Sequence, residues 1–298
     1  MEISDQTAII GPTASGKSSL AIDVAKRHNG IILSLDSLSV YKEIDIASAK
    51  PAPSERKDIK HYGIDILYPD EHFDVTDFAD IYMWARKEAQ KSGKKLIITG
   101  GTGFYLKILM EGISPLPEIS DDIRSRVEDM ILDTKKAYEF LSKIDPDHAS
   151  GIKSADRYRI EKALSIYYST GIVPSIYFDR NPPKPIIAGE LNIYEITTDK
   201  DELRKRIISR TDQMLSSGLV DEVCMLERRY GRKPTPMKAI GIKEVLAYLD
   251  GVYDHDQMRE KIITHTARLA KRQRTFNKSQ FKNTISGNLE KLRLKFGL

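Results

Sequence analysis

Residues 9–19 read IIGPTASGKSS: a short apolar run, a Gly-rich turn, then Lys-Ser where a helix should begin. Gly11-Pro12-Thr13-Ala14-Ser15-Gly16-Lys17-Ser18 fits the phosphate-loop pattern G-x-x-x-x-G-K-[ST]. Such a loop works only between a buried strand and a helix N-terminus. There, backbone N–H groups converge on anionic oxygens and the helix end adds partial positive charge. Lys17 supplies a point charge, and the Ser18 hydroxyl is a ligand suited to Mg2+. The pattern fixes phosphate binding but leaves open whose phosphate is held.

The flanking sequence suits an α/β fold. TAII (7–10) reads as a buried strand, and 17–28 as a helix. IILSLD (31–36) is a second strand, HYGIDIL (61–67) a weaker third, and KKLIITGG (94–101) another, with an amphipathic helix over 75–92. Strands alternating with helices predict a parallel sheet with right-handed crossovers. From about 112 the pattern changes to a Pro-containing linker and helical spacing through 171, then a second linker, NPPKP (181–185). NIYEIT (192–197) returns to strand. Asp199 with Glu202 forms a plausible capping box for one helix running to Gly231, and two more helices are expected over 237–249 and 256–280. The expected organisation is a P-loop parallel-sheet core (1–111), an inserted helical domain (112–190), and core completion with basic C-terminal helices (191–298).

Composition narrows the class. Apolar residues make up 40% and charged residues 30%, ordinary for a chain with a buried core. A single cysteine, Cys224, excludes a disulfide framework and any cysteine-based zinc site. No apolar run reaches ~18–20 residues, and MEISDQ lacks the features of a signal peptide, so a cytoplasmic location away from any membrane is expected. Net charge is +4, but residues 259–298 hold 11 Lys+Arg against 2 Asp+Glu, or +9, leaving −5 for the rest. A basic C-terminal arm on a near-neutral body suits a polyanionic partner or a solvated helix face.

A P-loop kinase using ATP would need an acidic residue at the end of a neighbouring strand to organise Mg2+. KKLIITGGTG supplies none. The strand that ends in an acid is IILSLDS, which puts Asp36 at the carboxyl edge of the sheet, where open α/β folds bind ligands. Asp36 is therefore a candidate metal organiser or general base, or simply an Asx turn. Thr99-Gly100-Gly101-Thr102-Gly103 is a second Gly-rich strand-to-helix turn, with Thr102 able to donate to a phosphate oxygen.

Taken in order and spacing, GPTASGKS, DSLSVYKEIDIASAKP (36–51), HYGIDI, GGTGFYLKIL, ADRYRIEKALSIYYSTG (155–171), RIISRTDQMLSSGLVDEV (206–223), KAIGIKEVLAYLDG (238–251) and KRQRTF (271–276) resemble the tRNA dimethylallyltransferase family over nearly the whole chain. The resemblance implies that the loop holds the diphosphate of dimethylallyl diphosphate, with Mg2+ at Ser18. The adenine just 3′ of the tRNA anticodon would attack through its N6 amine. Asp36 matches the general base. Lys17, Thr102 and an arginine, either Arg206 or Arg210, would hold the departing diphosphate. Asp36, Ser37, Leu38 and Ser39 would contact the flipped adenine. Thr102, Arg124, Tyr158, Arg159, Ile160, Glu161 and Lys162 match further tRNA-contacting positions, and Lys271, Arg272 and Arg274 would track phosphates. The expected partners are the tRNA anticodon stem-loop and dimethylallyl diphosphate, for a monomer.

The chain departs from the family pattern at Ala47-Ser48, where Gly-Thr is usual, at Phe276-Asn277, where Trp-Phe is usual, and at Lys162, where Arg is usual. Trp84 and Cys224 are both expected in the core, and the six histidines show no metal spacing.

Overall fold

The protein, described here from a computed structural model over residues 3–56 and 58–298, has a six-stranded sheet. Its strands are β1 (Gln6–Ile10), β2 (Gly30–Ser34), β3 (His61–Tyr62), β4 (Lys95–Gly100), β5 (Asn192–Ile196) and β6 (Thr284–Gly287). They lie in the order β3-β2-β4-β1-β5-β6, every neighbouring pair parallel. The five residues of β1 are all buried, as a central parallel strand covered on both faces must be. Register sets Ile10 beside Gly100 and Glu195, and Ser34 beside Thr99, so the carboxyl ends of four strands open at one edge.

The chain divides into two compact units, Met1–Leu109 with Ile187–Leu298, and Met110–Ile186. The first unit carries α1 (Lys17–Arg27), α2 (Val75–Lys91) and the start of α3 (Gly103–Glu111). The second holds α4 (Asp121–Ile131), α5 (Thr134–Ile144), α6 (Pro146–Ser150), α7 (Arg157–Thr170) and α8 (Pro174–Arg180). The first unit resumes with α9 (Lys200–Ser216), α10 (Leu219–Tyr230), α11 (Ile242–Leu249), α12 (His255–Gln280) and α13 (Leu289–Lys295). Each unit has its own core. Ile9, Leu20, Val24, Ile97 and Phe296 pack α1 and α13 on the sheet. Val127, Ile131, Leu141, Ile160 and Leu164 form the centre of the helical unit. There the Asp145 carboxylate accepts from the His148 and Ser175 amides, tying α6 to the start of α8. No helix among the described residues is long and apolar enough to cross a membrane.

Several sequence expectations are corrected. The third strand is only two residues long; Asp65, at φ 57°, leaves the extended region, and just an isolated Tyr41–Leu67 bridge follows. The single helix expected up to Gly231 is two helices, broken at Gly218, whose φ of 94° an L side chain rarely adopts. The helix expected from 237 begins at Ile242, after a 3-10 turn at Thr235–Lys238. Trp84 is 52% exposed. The buried stripe of α2 is Phe78, Ala79, Tyr82, Ala85 and Ala89, and position 84 falls off it, leaving the indole edge-on to Tyr62 at 4.7 Å. Cys224 is also exposed, beside rather than on the Leu219-Val223-Leu226 stripe of α10. Strand β6 and helix α13 lie beyond the elements that the sequence pattern predicts.

Candidate active site

Gly11, Pro12, Thr13, Ala14, Ser15 and Gly16 join the end of β1 to α1, as the sequence pattern requires. Ala14 sits at φ 63°, a costly conformation for a residue with a Cβ and one that concentrates at functional loops. The Ser15 hydroxyl is buried and makes no hydrogen bond. The Lys17 ammonium, also buried, donates to the Pro12 carbonyl at 2.6 Å. Desolvation, helped by the neighbouring Arg210 charge and opposed by Asp36, pulls its pKa down to about 7. The loop thus presents an unpaired buried hydroxyl and an ammonium with no carboxylate bonded to it, a combination that an anion would complete.

Asp36 lies just past β2. Its Oδ1 accepts from the Leu38 amide at 2.8 Å and the Ser39 amide at 3.2 Å. The Asx turn is therefore present and leaves the carboxylate available: one oxygen orients it, and among the described residues the other accepts no hydrogen bond. The neighbouring turn is locked to the same place. The Thr102 amide donates to the Leu35 carbonyl at 3.0 Å, and the Leu35 amide to the Thr99 carbonyl at 2.6 Å. A Cβ on Gly100 would stand 2.5 Å from that Leu35 carbonyl oxygen, so only glycine lets β4 and its turn pass this close to Asp36.

One cavity of about 560 Å³ brings together Thr13, Lys17, Ser18, Asp36, Thr102 and Arg210. Ser37, Leu38, Ser39 and Arg272 line it too, and its remaining wall is partly apolar, with Ile207, Met214, Ile240 and Ile262. The volume is that of a small-molecule site. Arg210 is directed inward, donating to the Thr13 hydroxyl at 3.3 Å, and burial lowers its pKa against the pull of Asp36. Arg206 behaves differently. It pairs with Glu202 at 2.5 Å, reaches the Ser15 carbonyl at 3.4 Å, and lines a second, adjoining cavity of about 1320 Å³ rather than the first. Lys17, Ser18 and Arg210 face both cavities.

Among the remaining sequence candidates, Lys271 is exposed on α12. Arg274 lines a third cavity with Glu195 and Lys278, away from Arg272. Arg124, Tyr158, Arg159, Ile160, Glu161 and Lys162 all belong to the helical unit. Tyr158 is 67% exposed with the Lys162 ammonium near its ring, whereas Ile160 is fully buried in that unit's core, so its side chain is not on offer to a ligand.

Gln273, within KRQRTF, is a site residue that the sequence pattern does not single out. Its Oε1 accepts from the Thr13 amide at 2.8 Å and its Nε2 donates to the Gly101 carbonyl at 2.9 Å. One side chain on α12 therefore bridges the phosphate loop and the Thr102 turn. An uncharged glutamine inside a basic run is the available signal, masked by the charges around it.

The IPP transferase family model matches residues 39–280. The chain is 56% identical to a tRNA dimethylallyltransferase of Sulfurovum sp., over 96% of this chain and 95% of that one. Its fold is similar to the crystal structure of a tRNA isopentenylpyrophosphate transferase from Bacillus halodurans, with a TM-score of 0.71 and 31% identity over 97% of this chain and 93% of that one. It is similar as well to a eukaryotic dimethylallyltransferase captured acting on tRNA, with a TM-score of 0.85 and 26% identity over 97% of this chain and 76% of that one.

Proposed function

Because this chain belongs to the IPP transferase family, we propose that it transfers the dimethylallyl group of dimethylallyl diphosphate to N6 of the tRNA adenine 3′ of the anticodon. The observation that carries this reading is the single cavity in which Asp36 faces Lys17, Thr102 and Arg210. A kinase is disfavoured by the same geometry, since β4 ends in Thr99-Gly100 with no acid to organise a nucleotide's metal.

The adenine amine is a weak nucleophile because its lone pair is delocalised into the ring. As N6 bonds to C1 of the allyl group, the C1–O bond breaks and its electron pair leaves with diphosphate. The proton shed by N6 passes to Asp36, whose Oδ1 is fixed by two amides so that the carboxylate cannot rotate away. Negative charge accumulating on the leaving diphosphate is met by Lys17, Arg210, the loop amides and Thr102. Of the two arginines, Arg210 lines the Asp36 cavity and is favoured for this role; Arg206 pairs with Glu202 and lines only the second cavity. Ser18, exposed to the cavity at the second position of α1, offers the single hard oxygen that Mg2+ takes from a protein when diphosphate and water supply the rest. When bound there, Mg2+ would neutralise diphosphate charge.

The adenine must leave its stack to reach Asp36, which a loop base does cheaply. Ser37, Leu38 and Ser39 border its place, Arg272 and Lys271 meet phosphates, and the exposed Arg124, Tyr158 and Arg159, with the half-buried Lys162, give the helical unit its RNA-facing side. The protein works as a cytoplasmic monomer. Incubation with labelled dimethylallyl diphosphate and an anticodon stem-loop, followed by nucleoside analysis, tests the reading. N6-dimethylallyladenosine is expected. Transfer of a nucleotide's terminal phosphoryl group with unmodified RNA would overturn it.

A further inference from the structure

The segment 44–51 separates the two cavities. Ala47 and Ser48 line only the first, Asp45, Ile46 and Lys50 only the second, and Ala49 and Pro51 both. It has no regular secondary structure of its own, and Ala49 sits at φ 46°. The Ser48 hydroxyl is used inside the turn, donating to the Ile44 carbonyl at 2.5 Å. Something else must therefore hold this wall in place.

That hold comes from α10. The Glu222 carboxylate accepts three consecutive backbone amides: Asp45 at 2.9 Å and Ile46 at 2.7 Å on Oε2, and Ala47 at 2.9 Å on Oε1. Charge-assisted bonds of this kind are about twice as strong as neutral ones, and three on one carboxylate fix a peptide plane in both position and tilt. The same helix takes hold one step earlier, where Glu43 accepts from Arg229 and from the Tyr230 hydroxyl at 2.8 Å. On the other side the Lys50 ammonium, almost wholly enclosed, bonds Asp45 at 2.6 Å, the Tyr41 carbonyl at 2.9 Å, and Asp65. Arg56 also grips Asp65, at 3.0 Å. The segment is thus fastened from both flanks: Glu222 lines neither cavity, whereas Glu43, Asp45, Lys50, Arg56 and Asp65 line the second.

The second cavity holds the phosphate-loop residues Gly16, Lys17 and Ser18 but not Asp36, the 37–39 segment or Thr102. The face that 45–51 shares with the loop is therefore the donor's side, and Ile46, Ala49 and Pro51 present apolar surface to it. We propose that Glu222 is a positioning residue for the isoprenoid donor: by pinning the 45–47 amides it sets the apolar wall against which the five-carbon group lies, while the phosphate loop, with Arg210 and Thr102, holds the diphosphate. The proposal rests on the alkylation reading above.

Calorimetry with two probes tests it, inorganic diphosphate and dimethylallyl diphosphate, each with Mg2+. In Glu222→Gln one of the two oxygens becomes an NH2 facing an N–H donor, so the grip fails on one side. Loss of contact to one or two carbons should weaken dimethylallyl diphosphate about tenfold, with inorganic diphosphate within twofold of the unsubstituted chain. Lys50→Met should give the same pattern, and the double variant less than the sum of the two, because both act on one wall. Glu227→Gln, on the same helix but bonded to Arg232, should change neither probe. Equal weakening of both probes, or of neither, in folded Glu222→Gln would overturn the proposal. Failure of the unsubstituted chain to bind dimethylallyl diphosphate while binding inorganic diphosphate would instead remove the alkylation reading beneath it.

Discussion

The Lys17 ammonium donates to the Pro12 carbonyl at 2.6 Å, inside its own loop, and is held at a pKa of about 7 by burial. A bound diphosphate would raise that pKa. Near pH 8 dimethylallyl diphosphate, a monoester, is already deprotonated, so its binding should draw a proton from buffer onto Lys17. Calorimetry in buffers of different ionisation enthalpy should show net uptake, absent in Lys17→Met. The sign for stability follows separately. Between pH 7 and the ordinary value of 10.5 the unfolded chain holds this proton and the folded one does not, so stability rises with pH across that window and the cost is complete below it. Lys17→Met should therefore be more stable in urea, by most at pH 6 and by least near pH 10.

Asp36→Asn keeps an acceptor for the Leu38 and Ser39 amides, so the turn should survive while the base is lost. Single-turnover alkylation should fall about 10²–10⁴-fold, with RNA and diphosphate affinities changed little. A rate within tenfold of the unsubstituted chain would assign the proton to another acceptor.

Much of this site was legible in the sequence because its residues follow directly from local chain geometry. The phosphate loop, Asp36 after β2 and the Gly-rich turn after β4 are each a strand end followed by a turn, and parallel strands bring such ends to one edge. What could not be read depends on contacts between distant segments. Gln273 lies 260 residues from Thr13, and Glu222 lies 177 from Asp45. No periodicity announces such pairs. Arg206 and Arg210 are one helical turn apart and equivalent in sequence; only the path of α9 past the loop separates them. Trp84 and Cys224 are placed in the core by residue type, where the helix stripe each one misses decides its burial.

Gln273 should be intolerant even of glutamate. Gln273→Glu retains an acceptor for the Thr13 amide but turns an oxygen toward the Gly101 carbonyl. Removing such a bridge and leaving a polar group unpaired costs ~1–3 kcal/mol. Urea unfolding should show a loss of that order for both Gln273→Glu and Gln273→Ala, together with a raised KM for the prenyl donor. An unchanged midpoint with normal KM would make the bridge incidental.

Gly100→Ala places a Cβ 2.5 Å from the Leu35 carbonyl oxygen, at a φ of 159°. Backbone meets backbone here, so no rotamer relieves the contact. The β4 turn must move away from β2, separating Thr102 from Asp36. Turnover should fall more than tenfold in protein that still folds, and thermal unfolding should come several degrees earlier. Native turnover would show that the turn has slack.

Arg272 and Arg274 are about 200° apart around α12, and the structure uses them differently. Arg272 is exposed at the Asp36 cavity, whereas Arg274 shares its own cavity with Glu195 and also acts on Asp199. Burial raises the Glu195 pKa and Arg274 opposes that shift, so part of the arginine's charge is already answered within the protein. Each cation that meets an RNA phosphate contributes roughly 0.7–1 to the slope of log affinity against log salt. Arg272→Gln should lower that slope by about one such increment and weaken binding across RNA sequences. Arg274→Gln should change the slope by less, because the lost charge was partly screened by a carboxylate. Filter binding of the anticodon stem-loop over a range of salt concentrations measures both, and equal slope changes would place Arg274 on the RNA path after all.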